Sequence, residues 1–283
     1  MANYIDRISY GHEDGYDVRC VDLHTLHNIT THHMHILLTN IKPNGKILDI
    51  LDVGCGDGET AEAILSYFNQ NAIRVYALDI CRRACINVYQ RLNHYPNLYV
   101  YHDDVKSVDL NQKFDYIIVK NLLHEIPFND QKQVLYRLFK LLKQNGRILI
   151  WDFFLYENTA DFVRNVVKFK DKLCGYSRLV NDREFITYKD FETFLLQKKL
   201  HLKDIYSYDY KFSTLRQLKF EGALTDNNLQ IFNNHVRLLS NVLTPHQKEQ
   251  IQLSDNLNSD ISFIINCKII LIENIDDCIS KKI

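Results

Sequence analysis

Three glycines at alternate positions interrupt an apolar segment that begins near residue 46. Residues 46–59 read KILDILDVGCGDGE, so an aliphatic run leads directly into Gly54, Gly56 and Gly58. Glycine adopts positive φ freely and lets the backbone approach a ligand closely, which suits such a loop to binding. Residues 59–69 then carry apolar side chains at helical spacing. The pattern predicts a strand, a glycine turn that cradles a ligand, and a helix.

An acidic residue follows this loop at the distance that nucleotide binding requires. Residues 74–80 read RVYALDI, a second apolar strand in which Asp79 lies 21 residues after Gly58. A carboxylate about 20 residues beyond the last glycine, at the tip of the neighbouring strand, holds ribose hydroxyls. The glycine spacing is G-x-G-x-G, because Glu59 occupies the third glycine position of the dinucleotide fingerprint. Taken alone, Asp79 could also be a helix cap or a solvated strand end.

A histidine follows the fourth predicted strand, residues 114–119 (FDYIIV), in the segment NLLHEIPFND. Ligands of open α/β sheets bind beyond the carboxyl ends of the strands, so we expect His124 to lie beside the ligand. An imidazole with an ordinary pKa of about 6.5 accepts protons at neutral pH. His124 is therefore the first candidate for a general base, and the adjacent Glu125 is the second.

In these segments the chain resembles the class I S-adenosylmethionine-dependent methyltransferases. The run LDVGCGDG is similar to that family's cofactor loop. Asp79 stands where the family keeps the acid for the ribose, and Asp104, in YVYHDDV, stands where it keeps the acid for the adenine amine. The segments FDYIIV, KNLLHEIP and LLKQNGRILIW continue the match in order to about residue 155. The resemblance implies an α/β fold with a Rossmann-like, seven-stranded, doubly wound sheet.

The same resemblance implies S-adenosylmethionine as the cofactor and S-adenosylhomocysteine as its product. Because Asp103 adjoins Asp104, a plain surface role for either acid stays open. The residues implied to bind the cofactor are Asp52, Gly54, Cys55, Gly56, Gly58, Asp79, Ile80, Asp104, Val105, Lys120 and Asn121.

The segment around His124 is similar to one in the plant-type small-molecule O-methyltransferases, whose histidine deprotonates the acceptor hydroxyl. Those enzymes carry a long N-terminal dimerisation domain, whereas only about 45 residues precede the first strand here. Other methyltransferases keep a histidine at this place in a structural or cofactor-shielding role, so both readings stay open. The N/D-P-P-Y/F tetrapeptide typical of methylation on nucleic-acid base amines is absent from the sequence after that strand.

Composition excludes several classes of partner. The 283-residue chain has 34 basic and 35 acidic residues and a net charge of −1, so nucleic acid is an unlikely partner. The longest apolar run, residues 261–272, has 12 residues, well short of the roughly 20 that span a bilayer. The N-terminus shows no secretory signal, and seven cysteines in a chain of this length indicate reduced thiols. We expect a soluble, cytoplasmic protein.

Two groups of potential metal ligands stand out in the sequence. Cys81 and Cys85 are one helical turn apart, but no second cysteine or histidine pair completes a zinc site, which favours a core or helix-start role. Six of the twelve histidines lie between residues 12 and 35, and His24 and His27 share a helical face. No matching carboxylate or thiol set accompanies them. We therefore expect no metal at either group. We interpret the predicted helix that carries His24 and His27 as lining the mouth of the cofactor and substrate site.

The chain divides into a core and two additions. Residues 1–45 are predicted to form an N-terminal helical cap, and residues 46–212 with 261–283 the Rossmann-like core. Residues 213–260 form a helical insertion, in which Thr244, Pro245 and Gln247 match a capping box with proline at the first helical position. We interpret the insertion as a lid over the substrate. Alternatively it supports the fold or forms a dimer contact, so an oligomer is possible.

Two further patterns each allow a structural and a functional interpretation. Alternation along one strand places four aromatic side chains on one face, which either packs against a helix or forms a wall for a planar substrate. Four basic residues on a helix near residue 165 form a solvated face or recognise a carboxylate or phosphate. The aromatic residues are Tyr206, Tyr208, Tyr210 and Phe212, and the basic residues are Arg164, Lys168, Lys170 and Lys172.

The sequence thus predicts an S-adenosylmethionine-dependent methyltransferase that acts on an oxygen or nitrogen of a small molecule. One alternative is a protein or RNA methyltransferase that uses the basic residues near 165. Another is a non-catalytic S-adenosylmethionine-binding protein, and a nicotinamide oxidoreductase is a distant third.

Overall fold

A single twisted sheet organises the chain, which a computed structural model describes over residues 32–256 and 259–274. Five neighbouring strands are parallel, and the sheet continues through two antiparallel strands, in the order β3-β2-β1-β4-β5-β8-β6. Such parallel strands are buried on both faces, which explains their nearly continuous apolar sequences. The strands are β1 Leu48–Val53, β2 Ile73–Asp79, β3 Leu98–His102, β4 Phe114–Lys120, β5 Leu142–Phe153, β6 Leu200–Ser213, β7 Ser254–Asn256 and β8 Asp260–Asn274.

Helices cover both faces of the sheet. One apolar core lies under α4 and α7, and a second lies under α1, α2 and α3 on the opposite face. The thiol of Cys81 accepts a hydrogen bond from the Ala84 amide at the start of α3, which confirms the helix-start role predicted for it. The helices are α1 (residues 32–39), α2 Glu59–Tyr67, α3 Arg82–Leu92, α4 Phe128–Leu141, α5 Ala160–Leu173, α6 Ser177–Asp182, α7 Tyr188–Gln197, α8 Thr214–Phe220, α9 Asp226–Ser240 and α10 Pro245–Gln250.

The α/β, Rossmann-like, doubly wound architecture is confirmed, but the predicted seven strands are eight. The extra strand, β7, has only three residues and pairs with the start of β8 alone. Its sequence, SDN, consists of three exposed polar residues, so no apolar alternation marks it as a strand. Backbone pairing with the first residues of β8 creates it.

The helix before β5 also ends earlier than its apolar spacing suggests. The sequence pattern extends to Asn145, whereas α4 ends at Leu141 and β5 begins at Leu142. The register of β4 against β5 slips between Phe114 and Tyr116, so β5 takes up extra residues there. Asn145 has φ 64°, and a Cβ on Gly146 would lie 2.8 Å from the Phe114 carbonyl oxygen. This irregularity uses the asparagine and glycine that otherwise indicate a helix end.

The inserted residues 213–260 contain α8, α9, α10 and β7 and build a third apolar core with α5. Phe232 and Val236 of α9 are fully buried in that core. The predicted capping box is confirmed, because Thr244 accepts from the Gln247 amide and the Gln247 side chain accepts from the Thr244 amide. The insertion is therefore packed onto the end of the sheet.

Part of the N-terminal helical cap lies within the described residues. Leu37 and Leu38 of α1 are buried against the sheet. The predicted His24 and His27 face, with the rest of residues 1–31, lies outside the described residues. Within the part of the chain that the structure describes, no helix has the length and apolar character needed to cross a membrane.

Candidate active site

The glycine loop joins β1 to α2 and runs in the left-handed region at each glycine. The φ angles of Gly54, Gly56 and Gly58 are 68°, 52° and 80°. A Cβ on Gly54 would lie 2.9 Å from the Leu122 side chain, and one on Gly58 would lie 2.9 Å from Val88. The loop therefore needs glycine for its backbone angles and, at these two positions, for close packing as well.

Asp79 ties this loop to the neighbouring strand. It ends β2, and its two carboxylate oxygens accept hydrogen bonds from the amides of Gly56, at 2.9 Å, and Cys81, at 2.8 Å. Burial raises the pKa of Asp79, although these two amide bonds oppose that effect. A carboxylate has about four lone-pair sites, so Asp79 retains acceptor capacity for hydroxyl donors. Its structural role and the predicted ribose role are compatible.

Asp52, which precedes the loop on β1, is completely buried. One of its oxygens, Oδ2, has no hydrogen-bond partner among the described residues. Burial raises the pKa of Asp52 to about 7, with Lys120 opposing and Asp79 reinforcing the shift. An orphaned buried acceptor costs free energy until a donor reaches it. A cofactor that carries a positive charge and an amine supplies the donor that Asp52 lacks. The glycine loop, together with the acceptor carboxylates of Asp52 and Asp79, fits S-adenosylmethionine.

The acid predicted for the adenine follows β3 at the same edge. Asp104 Oδ1 accepts from the Lys106 amide at 2.9 Å, and Asp103 Oδ1 accepts from the Asp104 amide at 2.8 Å. Asp103 is exposed and Asp104 is half-buried. Ile80 accepts from His102 at 3.0 Å through its carbonyl, and Val105 packs on the core. The structure thus places these residues near the tips of β2 and β3.

Lys120 and Asn121 lie where β4 ends. Lys120 pairs with Glu59 in the first turn of α2, and its ammonium lies 5.1 Å from the centre of the Trp151 ring. Asn121 takes φ 52°, and its amide donates to the Trp151 carbonyl at 2.8 Å. This left-handed residue turns the chain from the sheet into the helical turn 123–125. Asn121 also lines the cavity described below.

His124 lies in that turn and contacts the end of the adjacent strand. Its Nδ1 is 2.5 Å from Oδ1 of Asp152, and the Leu123 amide donates to Asp152 Oδ2 at 2.8 Å. The imidazole stacks on Phe185 with ring centres 5.1 Å apart and meets the edge of Phe153 at 5.2 Å. The histidine ring is therefore held in one orientation from three sides.

Asp152 is a site residue that sequence reasoning missed. It is 1% exposed near the end of β5 and is an acid in an otherwise apolar strand, RILIWDF. A buried carboxylate requires partners, so an acid in such a run is itself a signal of a functional pair. The signal was present, but the partner lies 28 residues away in the sequence and only the parallel pairing of β4 and β5 brings the two together.

The electrostatics of His124 favour its protonated form. Burial lowers its pKa, but the carboxylates of Asp152 and Glu125 outweigh burial, so the net shift is upward. Nε2 of His124 is 3.4 Å from Oε1 of Glu125. With Nδ1–H directed at Asp152, the neutral ring presents Nε2 as its acceptor. The arrangement is that of a base whose protonated state is stabilised by two acids.

A cavity of about 290 Å³ opens beside His124. It extends from the turn after β4 to the insertion, so the sheet edge and helix α8 both contribute walls. Its lining residues are Asn121, His124, Glu125, Phe153, Val167, Lys170, Arg183, Phe185, Tyr210, Phe212, Gln217, Phe220, Glu221 and Ile265.

Two of the four basic residues of α5, Lys170 and Arg164, are turned inward, whereas Lys172 is exposed as a solvated face requires. Lys170 is 2% exposed and bonds to Glu221 and Asp171, at 2.8 Å each. Arg164 donates to the Phe185 carbonyl and pairs with Glu184. Lys170 reaches Glu221 and Arg164 reaches Glu184, both outside α5, and helical spacing alone does not reveal such partners.

The aromatic row on β6 divides between two environments. Alternate residues of the strand are exposed, which confirms that the four aromatic side chains share one face. Tyr208 stacks on His33 at 3.9 Å and accepts from the Trp151 indole, next to Tyr206. Tyr210 and Phe212 line the cavity instead. The packing interpretation is confirmed for Tyr206 and Tyr208, while a wall for a planar substrate, formed by Tyr210 and Phe212, stays a prediction.

Comparison with known proteins agrees with this geometry. Residues 50–146 match the protein family described as Methyltransferase domain. No curated protein sequence matches the chain. No group of three or more potential metal ligands is assembled within residues 32–256 and 259–274.

Solved structures share the fold at low identity. The YcgJ protein from Bacillus subtilis is 16% identical, with 86% of this chain and 98% of that one covered and a TM-score of 0.70. A Bacillus halodurans protein, described provisionally as a methyltransferase, is 15% identical over 84% and 97%, with a TM-score of 0.68. The cyclopropane synthase MmaA2 from Mycobacterium tuberculosis is 12% identical over 96% and 99%, with a TM-score of 0.60.

These similarities establish the fold, and the family match falls on the segment that contains the glycine loop, Asp52 and Asp79. Residues 50–146 thus carry a methyltransferase domain, with S-adenosylmethionine as its cofactor.

Proposed function

We propose that the protein transfers a methyl group to an oxygen or nitrogen of a small molecule bound in the 290 Å³ cavity, with His124 as general base. The observation that carries this proposal is the buried pair at the carboxyl edge of the sheet, in which His124 lines the cavity and Asp152 holds it from behind. That edge is where open α/β sheets bind their ligands.

In this proposal the acids at the strand tips hold the cofactor. Asp79 accepts from the ribose hydroxyls, Asp104 accepts from the adenine amine, and Asp52 offers its orphaned oxygen to a cationic donor. When bound, S-adenosylmethionine supplies a methyl group on a positively charged sulfur. The protein's main tasks are then to align the acceptor and to exclude water. Asp79→Ala should weaken cofactor binding by roughly ten- to a hundredfold, which calorimetry measures.

His124 handles the proton that the acceptor releases. A hydroxyl or a protonated amine loses one proton on methylation, and Nε2 of His124 is the acceptor for it. Asp152 fixes Nδ1–H and so keeps Nε2 available. Glu125, at 3.4 Å, stabilises the resulting imidazolium. Asp152 thus acts as a positioning residue and His124 as the catalytic residue.

The insertion, residues 213–260, serves as the lid. Its helix α8 contributes Gln217 and Phe220 to the cavity, and Glu221 follows directly. Replacing residues 226–250 by a short glycine-serine linker should impair acceptor binding and turnover and leave cofactor affinity near normal, because the cofactor rests on the sheet. An equal loss of both affinities would show that the insertion only supports the fold.

The test of the proposed function is turnover of small hydroxyl and amine compounds, followed by transfer of labelled methyl. His124→Ala should lower turnover roughly 10²- to 10⁴-fold with little change in cofactor affinity, and His124→Gln should not restore it. Asp161→Asn, at an exposed acid of α5, is the matched control. Turnover of His124→Ala within a fewfold of wild type would remove its role as base.

The alternatives lose or lack support in the described residues. The protein or RNA acceptor depended on a free basic face, and Lys170 and Arg164 are already paired. A non-catalytic cofactor-binding protein would bind S-adenosylmethionine and methylate none of the compounds. Transfer to carbon needs a separate assay, since a cyclopropane synthase shares the fold.

A further inference from the structure

The cavity beside His124 has aromatic walls. Five rings border it, from the end of β5, the segment before α7, β6 and α8. Aromatic faces carry partial negative charge and attract cations, most strongly where water is excluded. The five are Phe153, Phe185, Tyr210, Phe212 and Phe220.

The two cations in the cavity wall are already engaged. Lys170 bonds to Glu221 and Asp171, at 2.8 Å each. Arg183 bonds to Asp171 at 2.9 Å and to Glu125 at 2.7 Å. Each cation thus pairs with two carboxylates, so neither is available to bind an anionic substrate.

The acids outnumber the cations. Glu125 and Glu221 line the cavity, while Asp152 and Asp171 lie directly behind it and are buried. Four carboxylates therefore oppose two permanent cations, an excess of two negative charges when His124 is neutral and of one when it is protonated. In a site shielded from water, such an excess disfavours a bound anion and favours a bound cation.

One further group indicates what else the ligand carries. Nε of Arg183 is a buried donor without a hydrogen-bond partner in the part of the chain that the structure describes. Because the guanidinium charge is balanced by Asp171 and Glu125, a neutral hydroxyl or carbonyl oxygen is a sufficient acceptor for this donor. The cavity volume of about 290 Å³ equals that of about ten water molecules and limits the ligand to a small one.

We propose that this cavity selects a small apolar or aromatic molecule that carries one protonated amine. The proposal rests on the proposed function, in that the cavity is taken as the acceptor site. It narrows the acceptor from any oxygen or nitrogen group to a cationic amine. It also excludes carboxylates and phosphates as substrates.

Three probes of one shape test the charge preference: benzylamine, benzyl alcohol and benzoate. Calorimetry with the full chain, saturated with S-adenosylhomocysteine at neutral pH, gives the three affinities. Benzylamine should bind at least about tenfold more tightly than benzyl alcohol, and benzoate should not bind. Equal affinities for amine and alcohol, tighter binding of benzoate, or no binding of the amine at millimolar concentration would each overturn the proposal.

A charge variant locates the preference in the cavity. Glu125→Gln should reduce the ratio of amine to alcohol affinity about tenfold, while Asp161→Asn, outside the cavity, should leave it unchanged. A ratio unaffected by Glu125→Gln would place the preference elsewhere. The ratio is insensitive to a general loss of binding, so partial misfolding cannot mimic the result.

This experiment fails independently of the proposed function. The binding ratio needs no turnover, so an inactive protein could still prefer the amine. Conversely, methylation of alcohols with full dependence on His124 would uphold the proposed function and refute the amine preference.

Discussion

The Asp152 carboxylate holds both the ring of His124 and the backbone that carries it. One oxygen lies 2.5 Å from Nδ1 of His124, and the other accepts from the Leu123 amide at 2.8 Å. His124 lies in the turn that follows β4, and Asp152 lies near the end of the adjacent parallel strand β5, in which Trp151 pairs with Lys120 of β4. The orientation of the imidazole is therefore set by the register of β4 against β5.

Asp152→Asn should reduce turnover by about 10²-fold or more and leave the affinity for S-adenosylhomocysteine within a fewfold of wild type. The amide keeps the shape of the carboxylate but can donate to Nδ1, which favours the wrong tautomer of His124. Steady-state kinetics and calorimetry separate the two effects. A parallel fall in turnover and cofactor affinity would instead indicate collapse of the whole sheet edge.

Turnover should fall as pH decreases through a value above 6.5. His124 accepts a proton only when its ring is neutral. Burial lowers the pKa of His124, but Asp152 and Glu125 raise it by a larger amount, so the net shift is upward. Removing one of these charges by Glu125→Gln should lower that pKa and move the acid limb of the kcat/KM profile to lower pH. Asp161→Asn is the control, since its carboxylate is exposed. An acid limb that stays in place in Glu125→Gln would mean that another group titrates.

Asp52→Asn should stabilise the ligand-free protein above pH 7 and weaken cofactor binding about tenfold. Burial raises the folded-state pKa of Asp52 to about 7 from 3.8, so the charged carboxylate penalises the folded state. The free energy of unfolding therefore falls as pH rises between these two values, and the variant escapes that loss. Thermal melts at pH 8 and pH 4 test the stability effect, which should be absent at pH 4. A lower melting temperature at pH 8 would contradict the assignment.

Glu221→Ala should destabilise the fold by about 3–5 kcal/mol. Lys170 is 2% exposed, so its charge is buried. Without Glu221, the ammonium of Lys170 keeps only Asp171 as a partner, and Asp171 also pairs with Arg183. The double variant Lys170→Met/Glu221→Leu should recover stability close to wild type, because it removes both charges. Urea denaturation measures both variants. Equal stabilities of the single and double variants would show that the pair is not buried in solution.

The glycine loop and its proximity to Asp79 were predictable from the sequence because their signals are local, while their contacts with the cofactor stay a prediction. The glycine loop and Asp79 are encoded within one β-strand, one turn and the next strand, and His124 follows its strand directly. Asp152 and Arg183 were not found, since their partners lie on distant elements. Burial of Lys170 likewise depends on Glu221, 51 residues away.

The predicted number of strands was wrong for a related reason. β7 consists of exposed polar residues, so it has no apolar pattern to recognise. The fold class was nevertheless predictable, because buried parallel strands carry their own continuous apolar runs.

The position of β8 between β5 and β6 sets an order on assembly during synthesis. Strands β1–β5, with the glycine loop, Asp52 and Asp79, can pair as soon as they emerge from the ribosome. β6 joins the described sheet only through β8, which supplies Ile265 to the cavity beside Tyr210. In the proposed function, the part of the chain that would bind the cofactor is therefore synthesised before the cavity for the acceptor is complete, because β8 supplies the last of its walls.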